Sequence, residues 1–253
     1  MSLFLLVTAA AAAAMPDLTI CPDRPSKANG PCTVPPGHWQ LEVSGVDWTR
    51  TLDAGTRSDT TSAGSTLVKY GLNNDADLEV GFSPFVHLSS SNANLSGVGD
   101  TIIRIKQRLT GSDAWLQAAV LPFMKLPSAR HPIGNGSIEG GIAVPLSTNV
   151  SRRIAITIGP EVDVVADASA DGHHVALVNL ANVAFAVTPK WSVSAEIWNN
   201  QNFDPAGTQR QWSADASAAF QPTNRVQLDA GANFGLNRAT PSIELYTGVS
   251  VLF

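Results

Sequence analysis

Alternation of apolar and polar residues, repeated about a dozen times from His38 to the end of the chain, is the feature that most limits the possible folds. In the stretch GVGDTIIRIKQRL, residues 97–109, the second and third isoleucines share one face of an extended strand, while Arg104, Lys106 and Arg108 share the other. In a soluble sandwich such a stretch would be a surface strand. In a transmembrane barrel it would be a wall segment with one side toward lipid and the other toward a wet lumen.

The connections between these stretches distinguish the two folds. Every second connection is a short turn such as Thr110-Gly111-Ser112, and most of the others are longer and rich in Ser, Asp and Gly, for example DAGTRSDTTS, HLSSSNANLSG and PSARHPIGNG. An up-and-down barrel sorts its connections in this way, with short periplasmic turns at one rim and longer extracellular loops at the other. We therefore predict an all-β fold, in which residues 38–253 form a closed antiparallel transmembrane barrel of about 12 strands.

Composition supports a membrane protein and excludes a nucleic-acid partner. Hydrophobic residues make up 44% of the chain and charged residues only 15%, below the fraction of about a quarter that is usual for soluble domains. Apart from the N-terminus, no apolar run is long enough for a spanning helix. The net charge of −5 and the pI near 5.4 argue against nucleic acid, because binding its phosphates needs a clustered basic surface.

The first 37 residues differ from the rest. Residues 1–14 have the apolar core and small residues of a secretory signal peptide, although no Lys or Arg precedes the apolar run, and a helix of the mature protein is the alternative. Residues 15–37 are rich in proline, and we predict a surface lead-in segment in the periplasm. Two cysteines in an exported chain, Cys21 and Cys32, indicate one disulfide, with two free thiols as the alternative.

Several motifs, in order, resemble those of the transporter family named for the meta pathway of phenol degradation. They are TVPPGHWQLE, GVGDTIIRIKQRL, PFMKLPSA, IGNGSIEGGIAVPLS and LDAGANFGLNRATPSIELYTGVSVLF, and the resemblance extends from about Asp23 to the end of the chain. It implies a bacterial outer-membrane barrel that passes small, often aromatic or hydrophobic, compounds, with membrane lipid, the barrel assembly machinery and the solute as partners. The terminal Phe253 is similar to the assembly signal of such barrels. The resemblance does not imply an enzyme.

Charged residues on the polar faces are the candidate functional residues. If the apolar faces point outward, a basic wall formed by Arg104, Lys106 and Arg108 lines one arc of the lumen. The predicted acidic wall consists of Glu139, Glu161, Asp163, Glu196, Asp215, Asp229 and Glu244. Opposite charges on different arcs predict a transverse field that screens solutes by charge. The alternative is that these groups pair with one another and only fill the barrel.

Two other functional classes remain open at this point. His173 and His174 lie near Ser169 and Asp171, so a barrel enzyme acting on lipid or ester substrates is one alternative. A soluble exported β-protein for binding is the other. No metal or phosphate motif is present in the sequence. We therefore predict no catalytic residue, no metal and no cofactor.

Overall fold

A computed structural model of the protein describes residues 18–53, 55–91, 94–169 and 172–253, and in this part of the chain all regular structure is strand. No helix there is long and apolar enough to cross a membrane. The predicted signal peptide, residues 1–14, lies outside the described residues. The strands are β1 (Trp39–Asp53), β2 (Thr56–Ala63), β3 (Thr66–Asn73), β4 (Ala76–Phe82), β5 (Phe85–Ser90), β6 (Asn94–Gly97), β7 (Thr101–Arg108), β8 (Gln117–Leu126), β9 (Glu139–Ala143), β10 (Leu146–Asn149), β11 (Ile154–Ile158), β12 (Glu161–Ala166), β13 (His173–Ala186), β14 (Trp191–Asn202), β15 (Gln209–Thr223), β16 (Val226–Gly235) and β17 (Ile243–Leu252).

These seventeen segments form one closed antiparallel barrel of twelve strands, as the sequence predicts. Five barrel strands are interrupted and consist of two segments each: β2 with β3, β4 with β5, β6 with β7, β9 with β10, and β11 with β12. For example, β1 pairs with β3 along its first half and with β2 along its second. The last strand closes the ring by pairing with β1, from Gln40 opposite Leu252 to Arg50 opposite Ile243.

The distribution of side chains is the reverse of that in a soluble protein. Lys69 and Lys106 are the largest fully buried side chains, whereas Ile105 and Val162 are 45% and 50% exposed. Lysine is almost never fully buried in a soluble domain unless it is paired. In a membrane barrel, lipid covers the apolar outside and polar groups face the interior. The chain is therefore a transmembrane barrel of the outer-membrane type, and the soluble alternative is wrong.

The two rims differ only partly as predicted, because two of the predicted long loops are largely strand and the predicted short turn at Thr110-Gly111-Ser112 belongs to a longer connection, residues 109–116. Most of β2 lies within DAGTRSDTTS, and the end of β5 and all of β6 lie within HLSSSNANLSG. On the outer surface here, Arg50 and Arg57 both pair with Asp59, and the Arg50 Nε to Asp59 Oδ1 distance is 2.9 Å. The sheet continues beyond the apolar band, because polar side chains on its outer face can pair with one another and with water there. We assign this rim to the outside of the cell and the rim with short turns to the periplasm.

Residues 18–37, which we call the lumenal segment, do not lie on the surface as predicted but fold into the barrel. The segment enters at the periplasmic rim, where the Ile20 N–H donates to Asn224 O at 2.8 Å. It returns to that rim at Val34, whose N–H donates to Asp77 at 2.9 Å. Gly37, at φ 74°, then turns the chain into β1. The charges of the segment, described below, explain this position because the barrel wall supplies their partners.

The C-terminal residue completes the seam of the barrel. The N–H of Phe253 donates to Trp39 O at 2.8 Å, which continues the pairing of β17 with β1. Next to this seam, Trp39 packs on Tyr70 with ring centroids 4.6 Å apart. Aromatic side chains at this level suit the interface between lipid and water. A role of Phe253 as an assembly signal stays a prediction.

Candidate functional site: the barrel lumen

The lumenal segment spans the interior between two differently charged sectors of the wall. Asp23 points toward β3 and β7, while Arg24 and Lys27 point toward β15 and β16. The disulfide between Cys21 and Cys32 closes the segment into a loop. Each charge of the segment thus meets the opposite charge on the wall.

On the first side, Asp23 lies among three wall cations. Its carboxylate is 3.1 Å from Lys69 Nζ and 2.7 Å from Arg104 Nη2, and it also pairs with Lys106. The Lys69 ammonium also donates to the carbonyl of Cys21 at 2.9 Å. A charge removed from water needs such close and multiple partners, because its desolvation is costly.

Wall carboxylates neutralise the same cations. Glu42 and Glu79 each have a carboxylate oxygen 3.4 Å from Lys69 Nζ, and Glu79 also pairs with Arg104 and lies 3.6 Å from Lys106 Nζ. The inward face of β7, which the sequence suggests is basic, therefore lies beside wall strands whose inward faces carry carboxylates. Arg108 lies apart, at the periplasmic rim, where it pairs with Asp75 at 2.7 Å.

On the opposite side, the cations come from the lumenal segment. Arg24 Nη2 is 2.9 Å from Asp229 Oδ1, and Lys27 Nζ is 2.5 Å from Asp215 Oδ2. Glu196 accepts from the backbone N–H groups of Lys27 and Ala28 at 3.2 and 3.0 Å. Three of the predicted acidic residues are thus brought together around the segment.

The other predicted acidic residues lie elsewhere on the wall. Glu139 pairs with Lys125 at 2.9 Å near the extracellular rim. Glu161 and Asp163 are neighbours on the inward face of β12 and contact each other. Glu244 accepts from Asn233 Nδ2 at 2.6 Å. These positions lie in the interior, but their role in solute passage stays a proposal.

Sequence reasoning missed the residues that organise the lumen. The predicted surface segment contains Asp23, Arg24 and Lys27, and the predicted lumen residues do not include Glu79. The available signal was a group of three charges between two cysteines, in a segment otherwise made of Pro, Ser, Ala, Asn and Gly. Charges confined by a disulfide in an exported barrel protein indicate partners, and the barrel interior is the nearest place to find them.

A cavity of about 300 Å³ lies in the lumen beside the segment, between β1, β3, β4 and β7. Leu67, Ile102 and Gly81 give it an apolar side, and Arg24 and Arg104 line its charged side. Its size is at the lower end of the range of roughly 300–1,000 Å³ that small-molecule sites occupy.

The two histidines, which the sequence offers as candidates for a hydrolase site, contact oxygen atoms of neighbouring residues at the extracellular rim. His174 Nδ1 lies 2.7 Å from Asp167 Oδ1, and its Nε2 lies 2.6 Å from Asn202 Oδ1. Both ring nitrogens of His174 therefore face oxygen atoms, which suits a ring held in place by hydrogen bonds on both sides. The Nε2 atom of His173 contacts Ile138 O. Asp171 lies outside the described residues.

The histidine cluster instead links two extracellular loops. Asp204, in the loop after β14, accepts from the backbone N–H groups of Ala206 and Ala168, and these hydrogen bonds lower the pKa of its carboxyl. Asp204 Oδ2 also lies 3.8 Å from His174 Nδ1. This cluster holds the loop after β12 against the loop after β14.

Gly248 gives a direct test of how tightly the segment is held. A Cβ atom there would lie 2.4 Å from Arg24 Nε. We expect Gly248→Val to push Arg24 away from Asp229 and to raise ion conductance in planar bilayers. Thr247→Val, on the lipid-facing side of the same strand, is the matched control. Equal conductance of the two variants would mean that the position of Arg24 does not control the passage.

The disulfide gives a second test. Because the cross-link restricts the loop when it is undocked, we expect Cys21→Ser/Cys32→Ser to destabilise the docked segment by about 2–4 kcal/mol. Hydrogen exchange should show weaker protection of the backbone amides of residues 20–34, while the β14–β16 amides keep theirs. Unchanged protection of the segment would show that its ion pairs suffice without the cross-link.

Comparisons with known proteins agree with this architecture. A family model described as "Putative MetA-pathway of phenol degradation" matches residues 22–253. The chain belongs to this family. The match includes most of the lumenal segment, so the segment is part of the family's sequence pattern and not an addition to it.

Several solved structures share this fold. An outer membrane channel from Pseudomonas putida F1 matches with a TM-score of 0.70 and 14% identity, over 88% of this chain and 98% of that one. The translocator domain of the autotransporter NalP from Neisseria meningitidis has a TM-score of 0.53 and 13% identity, over 85% and 88% of the two chains. The KdgM porin has a TM-score of 0.51 and 8% identity, over 85% and 99%. No curated protein sequence gives a significant match.

Proposed function

We propose that this protein is an outer-membrane channel for small compounds, including aromatic ones, and that the lumenal segment is the plug that controls passage. The observation that carries the proposal is the polar interior, which surrounds a loop held by ion pairs to both sides of the wall. An apolar outside and a charged inside suit a pore through lipid.

The contacts of the segment favour a removable plug over a permanent core. Only Leu18, Ile20 and Val34 of the segment pack in an apolar cluster, together with Leu252 at the periplasmic end. Its other described contacts are mainly hydrogen bonds and ion pairs, which water replaces at little net cost. The side chains of Arg24 and Lys27 are 17% and 29% exposed, so water already reaches them.

The solute class is supported by the family description and by the apolar side of the lumenal cavity. The family is described by a pathway of phenol degradation. Leu67 and Ile102 supply an apolar wall of the kind that an aromatic ring would contact, close to the hydroxyl groups of Ser65 and Ser83. Small aromatic compounds with a polar group fit this combination.

We propose transport without catalysis. The His174 ring is held between oxygen acceptors, and this arrangement suits a structural link between loops. The solved structures of similar fold include a channel and a porin.

Liposome swelling tests the proposal. Vesicles containing the protein would be placed in isotonic solutions of phenol, benzyl alcohol, glycerol or a disaccharide. We expect entry of the small solutes, with faster entry for a truncated chain that begins at Pro36 and therefore lacks most of the segment. Protein-free vesicles correct for the passive permeation of phenol. Identical swelling with and without the truncated protein would overturn the channel proposal.

A further inference from the structure

The sector of the wall formed by β14 to β17 has an unusual charge pattern. Its inward carboxylates are Glu196, Asp215, Asp229 and Glu244, and no Lys or Arg points inward from the described residues of these four strands. The cations that neutralise this sector, Arg24 and Lys27, come from the lumenal segment. When the segment leaves, the sector loses its counter-ions.

The position of Lys27 has the composition of an ammonium-binding site. Its Nζ atom lies 2.5 Å from Asp215 Oδ2, 3.2 Å from Ser213 Oγ and 5.1 Å from the centroid of the Trp198 ring. A carboxylate, a hydroxyl and an aromatic face are the groups that bind an alkylammonium ion. The remaining oxygen of Asp215, Oδ1, is buried and lacks a hydrogen-bond partner among the described residues. The site thus has acceptor capacity that Lys27 leaves unused.

A cavity of about 170 Å³ adjoins this position, and Lys27, Trp198 and Ser213 are part of its lining. Thr240 and Pro241, from the extracellular connection between β16 and β17, also line it. The Lys27 site therefore faces the extracellular end of the lumen. A solute that enters from outside would meet Trp198 before it reaches Asp215.

We propose that the lumen binds and passes solutes that carry a primary ammonium group, and that Lys27 occupies their binding site while the plug is in place. Such a solute competes with Lys27 for Asp215, which weakens one of the two ion pairs that hold the plug to the acidic sector. This inference rests on the proposed channel function and adds the charge class of the solute. A primary amine joined to an aromatic ring by a short alkyl chain satisfies both, because its ring suits the face of Trp198 and its ammonium group, charged at neutral pH, suits Asp215.

The site can be tested by removing the Lys27 side chain and adding a free alkylammonium ion in its place. In Lys27→Ala, n-butylammonium should bind saturably and raise the midpoint of heat-dependent gel mobility, whereas n-butanol and butyrate of the same chain length should not. The double variant Lys27→Ala/Asp215→Asn should lose the effect of butylammonium. Lys27→Gln serves as a second background if Lys27→Ala does not fold. Equal effects of butylammonium and butanol, or an unchanged effect in the double variant, would refute the site.

Ion selectivity separates this inference from the channel proposal. In a KCl gradient across a planar bilayer, we expect the chain that begins at Pro36 to give a reversal potential that shows selectivity for K⁺ over Cl⁻, and Asp215→Asn in that chain to reduce it. If butylammonium binds but the protein does not conduct, the ammonium-binding site is supported and the channel proposal is refuted. If the protein conducts Cl⁻ better than K⁺ and does not bind butylammonium, the channel proposal is supported and the ammonium-binding site is refuted.

Discussion

A chain that begins at Pro36 should conduct ions several-fold better than the full chain in planar bilayers. The reason is that residues 18–35 lie within the interior, from Lys69 and Lys106 on one side to Asp215 and Asp229 on the other. Their removal opens the space between these two groups of wall residues. The measurement is single-channel conductance in symmetrical KCl.

The truncated barrel should still fold, because its wall remains balanced on the side that Asp23 contacts. Lys69 keeps Glu42 and Glu79 at 3.4 Å, and Arg104 keeps Glu79. Heat-dependent gel mobility checks that the barrel has formed. As a control, Arg57→Gln alters an exposed charge on the outer surface and should leave conductance unchanged. If the truncated and full chains conduct equally, the segment is not the barrier.

Glu79→Ala should be the most destabilising single substitution in the wall, at about 3–5 kcal/mol of the free energy of unfolding. Glu79 is fully buried and lies within ion-pair distance of Lys69, Arg104 and Lys106. Its loss leaves three cations with too few partners, and two of them, Lys69 and Lys106, are fully buried. Urea unfolding in detergent, followed by tryptophan fluorescence, measures the difference.

Asp59→Ala is the matched control for Glu79→Ala. Asp59 also pairs with two cations, Arg50 and Arg57, but on the outer surface, where the Arg57 side chain is 56% exposed. Ion pairs in contact with water contribute about 0–1 kcal/mol. A loss for Glu79→Ala no larger than that for Asp59→Ala would show that water reaches the Lys69 cluster. Water in that cluster would also mean that the lumenal segment does not seal this side of the lumen.

The sequence predicted the wall of this protein well because a barrel strand obeys a local rule. Side chains of a strand alternate between its two faces, so the neighbours Ile105 and Lys106 must point in opposite directions. The apolar Ile105 then faces lipid and Lys106 faces the lumen. Connection length then assigns the rims, and an even number of stretches allows closure. Neither step needs contacts between distant residues. The predicted long loops DAGTRSDTTS and HLSSSNANLSG were wrong because polar residues extend a strand in water as readily as they form a loop.

The interior depended on the tertiary structure. Arg24 and Asp229 are separated by 205 positions, and Asp23 and Lys106 by 83. Such pairs form because barrel closure brings distant strands around one axis, and alternation does not encode which strands face each other across it. The sequence by itself determined which side chains point inward. Only the closed barrel decided that residues 18–37 lie among them, because buried charges on the wall need partners that water no longer supplies.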